Sequence, residues 1–185
     1  NDDPQFGQLF IGSSLAAEAA KGNLDDWHSN TYSHTWVDTA KLLTTDGLTD
    51  VKVFAGQDFQ GSINIGAQIT EEAYAKYMDD VDGLRTVYNQ YAPNGDFNYT
   101  LGSGADVLNM AVHSGVANDQ DFMMQINGGA GDDFINFAYT GPITQNQLLN
   151  MRAKTINQEH IKIDGGANND VVKSWDNGTI AVDGG

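Results

Sequence analysis

Residues 126–135 read Ile-Asn-Gly-Gly-Ala-Gly-Asp-Asp-Phe-Ile, and this stretch decides the fold that we expect for the chain. From Gly128 it matches the pattern G-G-x-G-x-D-x-U-x, in which U is apolar, at every fixed position. The glycines permit a tight turn because glycine enters positive-φ conformations freely. The acid Asp133 offers a hard oxygen ligand, and the apolar Ile135 begins a short strand that enters the core. The stretch therefore predicts a turn whose carbonyl and carboxylate oxygens face an ion.

The pattern is repeated on both sides of this stretch. The copy at 165–172 has Asn168 in place of the last glycine, and Asn is among the residues that best tolerate the left-handed region. The copy at 101–108 lacks only the first glycine, and residues 183–185 (Asp-Gly-Gly) open a further copy. Residues 56–58 (Gly-Gln-Asp) are a much weaker echo, because no apolar residue follows the acid at the required position. Repeats of this pattern form calcium-binding parallel β-rolls.

The segments around the motifs predict a strand before and after each turn. The strands that enter the turns are predicted at 97–100, 123–126, 160–163 and 179–182, and earlier strands at 6–10, 51–54 and 62–65. Helices are predicted at 15–21, 39–43, 70–91 and 144–154. The last helix begins with a capping box from Thr144 to Gln147. We therefore expect a mainly β fold with inserted helices, a calcium-bound parallel β-roll or β-solenoid that is decorated by helices and loops.

The spacing of the motifs indicates where the insertions lie. The motif acids Asp106, Asp133 and Asp170 are 27 and 37 residues apart. One turn of a plain β-roll takes about 18 residues, so these intervals leave room for inserted segments. We expect one domain over residues 1–185 that is a segment of a larger protein, with regular repeats following residue 185.

Composition narrows the classes of partner. The chain has 25 Asp plus Glu against 9 Lys plus Arg, a formal net charge of -16. This balance argues against nucleic acid and anionic membrane surfaces as partners. The absence of cysteine excludes disulfides, thiolate zinc sites and a cysteine nucleophile. No apolar run approaches the roughly 18 residues of a transmembrane helix, so we expect no membrane insertion.

The sequence carries no catalytic signature. His28 and His34 are six residues apart, which does not match the His-Glu-x-x-His pattern of metalloproteases. Ser103 lies between two glycines but stands at a variable position of the ion-binding motif rather than in a nucleophile elbow. Asp132 and Asp133 are adjacent, unlike the separated carboxylates of a glycosidase. We therefore expect a protein that is not an enzyme.

The motif copies at 102–108, 128–136 and 165–172 resemble those of the repeats-in-toxin family of secreted, calcium-dependent bacterial proteins. The copies here are isolated and separated by insertions, so the chain looks like a ligand-binding module of a giant adhesin of that family, just before its regular repeats. The resemblance implies a place at the bacterial cell surface or outside the cell, as a monomeric unit within a longer chain. The implied partner is a peptide or protein terminus on a target cell, and the implied role is attachment to other cells or surfaces.

The resemblance also implies a set of calcium ligands. In the family, several Ca²⁺ ions lie between stacked turns and are held by motif carboxylates and glycine carbonyls. Carried over, the side-chain ligands become Asp106, Asp133 and Asp170. The companion carbonyls would belong to Gly104, Gly129, Gly131 and Gly166. Residues that flank the turns are second-choice ligands: Asn127, Asp132, Asp164, Asn168 and Asp183.

The site that binds the partner is less well specified by the sequence. The aromatic stretch 27–36 shows neither helical nor strand periodicity, and its residues are candidates for pocket walls: Trp27, Tyr32, His34 and Trp36. Ordinary packing is the alternative explanation of such a stretch. Two other functions stay open. The chain can be a capping domain that binds no ligand and only starts a regular roll, or an accessory domain of a secreted enzyme whose catalytic part lies upstream.

Overall fold

The computed structural model describes residues 8–11, 47–77, 96–119, 122–156, 160–175 and 180–185. Within these ranges the chain forms two sheets, which we call sheets A and B. Sheet A contains β1 (Gln8–Ile11), β2 (Leu48–Thr49), β4 (Ser62–Ile69), β6 (Val107–His113), β8 (Phe134–Thr140) and β10 (Val171–Trp175). Sheet B contains β3 (Val53–Ala55), β5 (Asp96–Thr100), β7 (Met123–Asn127), β9 (Ile161–Asp164) and β11 (Ile180–Asp183). The helices are α1 (Glu72–Tyr77), α2 (Ser114–Ala117) and α3 (Gln145–Ile156).

From β2 onward the described strands lie alternately in the two sheets. The strand order is β1-β4-β6-β8-β10 in sheet A, with β2 also beside β4, and β11-β9-β7-β5-β3 in sheet B. All pairings among the described strands are parallel. Neither sheet closes into a barrel. We call one sheet-B strand, the turn after it and the next sheet-A strand a rung, so that β3–β4, β5–β6, β7–β8 and β9–β10 are successive rungs.

The core is built from rows of apolar side chains that lie in register. Residues of both sheets join in one buried cluster, because successive strands place the same kind of residue at the same level. In sheet A one such row is Ile65, Leu108, Ile135 and Val172. In sheet B one such row is Tyr99, Ile126 and Ile163. Stacking rungs therefore bury a continuous apolar interior.

The outward faces of the two sheets differ. In sheet A, Val107 and Phe134 point away from the main cluster yet are buried, and the Nδ2 of Asn136 donates to the Oδ1 of Asn109 at 3.2 Å. In sheet B, buried and more exposed residues alternate along β7 and β9, as expected for a sheet with one solvent-exposed face. Sheet B thus exposes its outer face, whereas the central strands of sheet A are covered on both faces.

The strands lie where the motif pattern places them. Each strand predicted to enter a turn is present as β5, β7, β9 or β11, within one residue of the predicted bounds. The strand predicted at 51–54 begins only at Val53, after Asp50 adopts a φ of 53°. The predicted helices at 15–21 and 39–43 fall outside the described residues, as do the last residues of the predicted helix 70–91.

The capping box predicted from the sequence is confirmed in α3. The backbone N–H of Thr144 donates to Gln147 Oε1 at 2.8 Å, and the N–H of Gln147 donates back to Thr144 Oγ1 at 3.3 Å. The helix then runs two residues further than predicted, to Ile156. In α1, Thr70 Oγ1 accepts the N–H of Glu72 at 3.3 Å, which supports the predicted start of that helix.

Candidate functional site

The three motif copies meet at one edge of the molecule. They form the turns that lead from sheet B to sheet A, and we call this side the motif edge. The strands that enter the turns pair so that Thr100, Asn127, Asp164 and Asp183 form one row. Helices α1, α2 and α3 belong to the opposite connections, from sheet A back to sheet B. The insertions therefore lengthen the chain between motifs without disturbing their stacking.

Glycines at the motif edge lie directly on the turn of the preceding rung. Gly129 has a φ of +94°, and a Cβ added to it would lie 2.0 Å from the carbonyl oxygen of Gly102. An added Cβ would lie equally close at two further positions: 2.2 Å from Gly129 O at Gly166, and 2.2 Å from Gly104 O at Gly131. Asn168 adopts a φ of 94°, which confirms that it takes the left-handed place of a glycine. Only residues that tolerate this backbone geometry allow the turns to stack so closely.

The motif acids form a ladder of hydrogen bonds between rungs. Asp133 Oδ1 accepts the backbone N–H of Asp106 at 2.9 Å, and Asp170 Oδ1 accepts the backbone N–H of Asp133 at 2.9 Å. Asp106 Oδ1 does the same for the N–H of Ile63 at 2.7 Å. We call Asp106, Asp133 and Asp170 the aspartate ladder. Each of its carboxylates fastens its own turn to the rung before it.

The second oxygens of the ladder are less well satisfied. Asp106 Oδ2 accepts the N–H of Gly102 at 2.7 Å. Asp133 Oδ2 and Asp170 Oδ2 are buried but have no hydrogen-bond partner in the part of the chain that the structure describes. A buried carboxylate oxygen without a donor or a cation carries a large desolvation cost. A cation close to these two oxygens would offset that cost.

The pKa values of two ladder acids are raised, which shows that their charged forms are destabilised by burial. The pKa of the Asp133 carboxyl is raised to about 8, chiefly by burial; the backbone N–H of Asp106 opposes the rise, and the charges of Asp106, Asp170 and Asp132 contribute to it. Burial also raises the pKa of Asp106, while its bonds from the N–H groups of Ile63 and Gly102 oppose that rise. Near neutral pH, Asp133 therefore holds a proton unless a cation stabilises its charge.

The flanking residues already have backbone partners. Oδ1 atoms of Asn127, Asp164 and Asp183 accept the N–H of the glycine two positions later, at 2.8, 3.0 and 3.2 Å. Asp132 Oδ1 accepts the N–H of Asn169 at 3.1 Å. These side chains close and brace the turns, so a role as metal ligand would fall to the second carboxylate oxygen of Asp132, Asp164 and Asp183, whereas Asn127 would have to share its Oδ1 with the N–H of Gly129.

A cation at the ladder would need backbone carbonyl oxygens or water beside the carboxylates. No three His, Cys, Asp or Glu side chains converge within the described ranges. Calcium accepts backbone carbonyl oxygens and water as well as carboxylates, and the turns bring carbonyls and carboxylates together. Of the predicted carbonyl ligands, Gly129 O already accepts the N–H of Ala167 at 2.9 Å, so an ion would share it.

The structure also reveals contributions that the sequence did not single out. The turn between β3 and β4 belongs to the same stack, because a Cβ on Gly104 would lie 2.4 Å from Gly61 O. Its ladder position is Ile63, not the acid of the weak echo, Asp58, which is exposed. The sequence could have indicated this turn, because Gly61 precedes Ile63 by two residues, just as Gly104 precedes Asp106.

The predicted partner-binding pocket is not tested by the described part of the structure. The candidate pocket residues Trp27, Tyr32, His34 and Trp36 lie outside the described residues, so the pocket stays a prediction. None of the helices in the described ranges has the length and apolar character needed to cross a bilayer. Comparisons of this chain with known protein families, curated proteins and solved structures found no match.

Proposed function

We propose that the chain is a calcium-dependent ligand-binding module of a bacterial adhesin of the repeats-in-toxin type. The observation that carries the proposal is that two buried oxygens, Asp133 Oδ2 and Asp170 Oδ2, have no hydrogen-bond partner among the described residues of a chain whose net charge is -16. Cations of hard character are the partners that such oxygens prefer. The G-G-x-G-x-D pattern around both aspartates supports calcium among these cations.

The alternating path of the chain supports a finer description of the fold. Strands enter and leave the motif edge once in each rung, and the rungs stack in register. We propose that this arrangement is a parallel β-roll, a form of β-solenoid, decorated by helices and loops on the edge opposite the motifs. A calcium ion, when bound, neutralises carboxylates of adjacent rungs and links the turns that carry them.

Asp133 and Asp170 are the residues that fit this role best. Both have one oxygen that fastens the turn and a second that is left for a cation. Both carboxylate oxygens of Asp106 accept hydrogen bonds from backbone N–H groups, so Asp106 is a weaker candidate ligand. The proposed carbonyl ligands are those of Gly104, Gly129, Gly131 and Gly166, which the close stacking of the turns brings to the same edge.

Recognition of a partner rests on the insertions. The connections that contain α1, α2 and α3 leave the stack opposite the motif edge, where their length can vary without breaking the ladder. Inserted loops on a rigid frame are a common place for binding sites. We propose that they hold a peptide or protein terminus from a target cell surface, which accords with an extracellular protein that mediates cell adhesion and biofilm formation.

A calcium titration followed by a ligand screen tests the proposal in two steps. Isothermal titration should show calcium binding that Asp133→Asn and Asp170→Asn weaken and that the exposed Asp58→Asn leaves unchanged. Screening a peptide display library with calcium and with a chelator should then yield ligands that bind only with calcium. Calcium binding without any such ligand would favour the capping domain, and a catalytic domain elsewhere in the full-length protein would favour the secreted enzyme.

A further inference from the structure

Asn127 and Gly128 form an Asn-Gly pair at the motif edge. Asn127 ends β7, and its side chain is exposed. In an Asn-Gly pair the glycine nitrogen can attack the Asn side-chain carbonyl, because glycine has no Cβ to obstruct the approach. The sequence contains two further pairs of this kind, at 94–95 and 177–178.

The rungs that follow show what the product of this reaction would do. Asp164 and Asp183 occupy the same row as Asn127 and make the same contact, in which Oδ1 accepts the N–H of the glycine two positions later. The contact uses only an oxygen acceptor, which Asn and Asp share. An aspartate at position 127 therefore keeps the turn and turns the row into three carboxylates.

Two contacts act on the reaction in opposite directions. The N–H of Gly129 donates to Asn127 Oδ1 at 2.8 Å, which polarises the side-chain carbonyl and favours attack on Cγ. The attacking nitrogen is held, however, because the N–H of Gly128 donates to the carbonyl of Asp164 in the next rung at 2.9 Å. Gly128 is also clamped, since a Cβ on it would lie 2.1 Å from Gly165 O. The first contact is local to one turn, whereas the clamp exists only while β9 lies on β7.

We propose that Asn127 is a deamidation site that the stacking of β9 on β7 protects. When the rungs separate, the Gly128 nitrogen loses its proton and forms a bond to Asn127 Cγ. The bond from Cγ to Nδ2 breaks, ammonia leaves, and a succinimide results. Water then opens the succinimide to aspartate or isoaspartate, so the overall reaction consumes one water and releases one ammonia without oxidation or reduction.

The two products have different consequences. Aspartate retains the turn, as Asp164 shows, and adds a negative charge to an edge that is already acidic. Isoaspartate inserts one extra methylene into the main chain, which moves Gly128 out of register with Asp164. With isoaspartate at position 127 the rungs cannot restack as before. The modification therefore marks molecules in which the rungs had separated. The inference does not depend on calcium binding.

Peptide mapping by mass spectrometry tests the proposal on the whole chain. Conversion of Asn127 should be at least about tenfold slower in the folded protein than in the same protein kept in denaturing urea, because it requires local opening. Circular dichroism confirms that the first sample stays folded. Equal rates in the two samples would overturn the proposal.

Two matched core variants distinguish local gating from general loss of stability. Ile161→Ala weakens the docking of β9, whereas Ile65→Ala removes the same apolar volume from β4, three rungs before that of β9. Ile161→Ala should accelerate conversion of Asn127 more than Ile65→Ala does. Equal acceleration in the two variants would contradict gating by β9. If either variant fails to fold, the comparison of folded and urea-treated wild-type protein still decides the matter.

Discussion

The carboxylate of Asp170 accepts the backbone N–H of Asp133 at 2.9 Å, although the two residues are 37 positions apart. Asp133 repeats the contact with Asp106, 27 positions earlier. In each motif acid one oxygen holds the previous rung, and in Asp133 and Asp170 the other oxygen is buried with no hydrogen-bond partner in the part of the chain that the structure describes. The same residues that build the stack thus carry the oxygens to which we propose that a cation binds.

Asp133→Asn should stabilise the metal-free protein and reduce its response to calcium. The amide oxygen can still accept the N–H of Asp106, and an amide is neutral without taking up a proton, so the cost of protonating the buried carboxylate disappears, a gain of at least about 1 kcal/mol near neutral pH. Chemical denaturation with and without calcium measures both effects. Asp58→Asn, which changes an exposed acid, serves as the control. A variant that lowers metal-free stability and keeps the full calcium response would contradict the assignment.

Gly129→Ala should destabilise the protein by more than about 2 kcal/mol, because a left-handed backbone and a steric clash add up. The added Cβ would lie 2.0 Å from Gly102 O at a φ of +94°. Gly184→Ala is the matched control, since its Cβ would meet nothing within 4 Å. Thermal melts of both variants measure the difference, and equal melting temperatures would show that the turns do not stack as described.

Asn168→Gly should stabilise the fold by roughly 0.5–1 kcal/mol, because glycine adopts positive φ at lower cost than asparagine. Asn168 has a φ of 94° in the structure. The neighbouring Asn169→Gly should not stabilise it, since no positive φ is relieved there. Urea denaturation of the two variants checks the prediction, and a loss of stability in Asn168→Gly would count against the left-handed turn.

The metal-free protein should lose stability as the pH rises from about 4 to about 8. The folded-state pKa of Asp133 is about 8, above the ordinary 3.8, so the folded chain binds more protons than the unfolded chain within this window. Stability falls with pH wherever the folded state binds more protons. Denaturation in chelator at several pH values measures the slope, which Asp133→Asn should reduce. A slope of the opposite sign, or one that the variant leaves unchanged, would refute the role of Asp133.

The motif glycines and acids predicted much of this arrangement because their chemistry is local. Gly128 to Asp133 fix a turn and the strands on either side of it, whatever lies elsewhere in the chain. The ladder itself was not predictable, because the bond from Asp133 to Asp170 depends on how β8 and β10 align across a long insertion. Burial of Asn109 and Asn136 on the outward face of sheet A also depends on tertiary packing that no short pattern encodes.

The most direct test of the central claim is the melting temperature of the protein in excess calcium and in excess EGTA. A ligand at a hundred times its Kd adds about 2.7 kcal/mol per site to the free energy of unfolding. We therefore expect calcium to raise the melting temperature by many degrees, magnesium at the same concentration to do so far less, and Asp133→Asn combined with Asp170→Asn to abolish most of the rise. An unchanged melting temperature and an unchanged circular dichroism spectrum in EGTA would contradict the account.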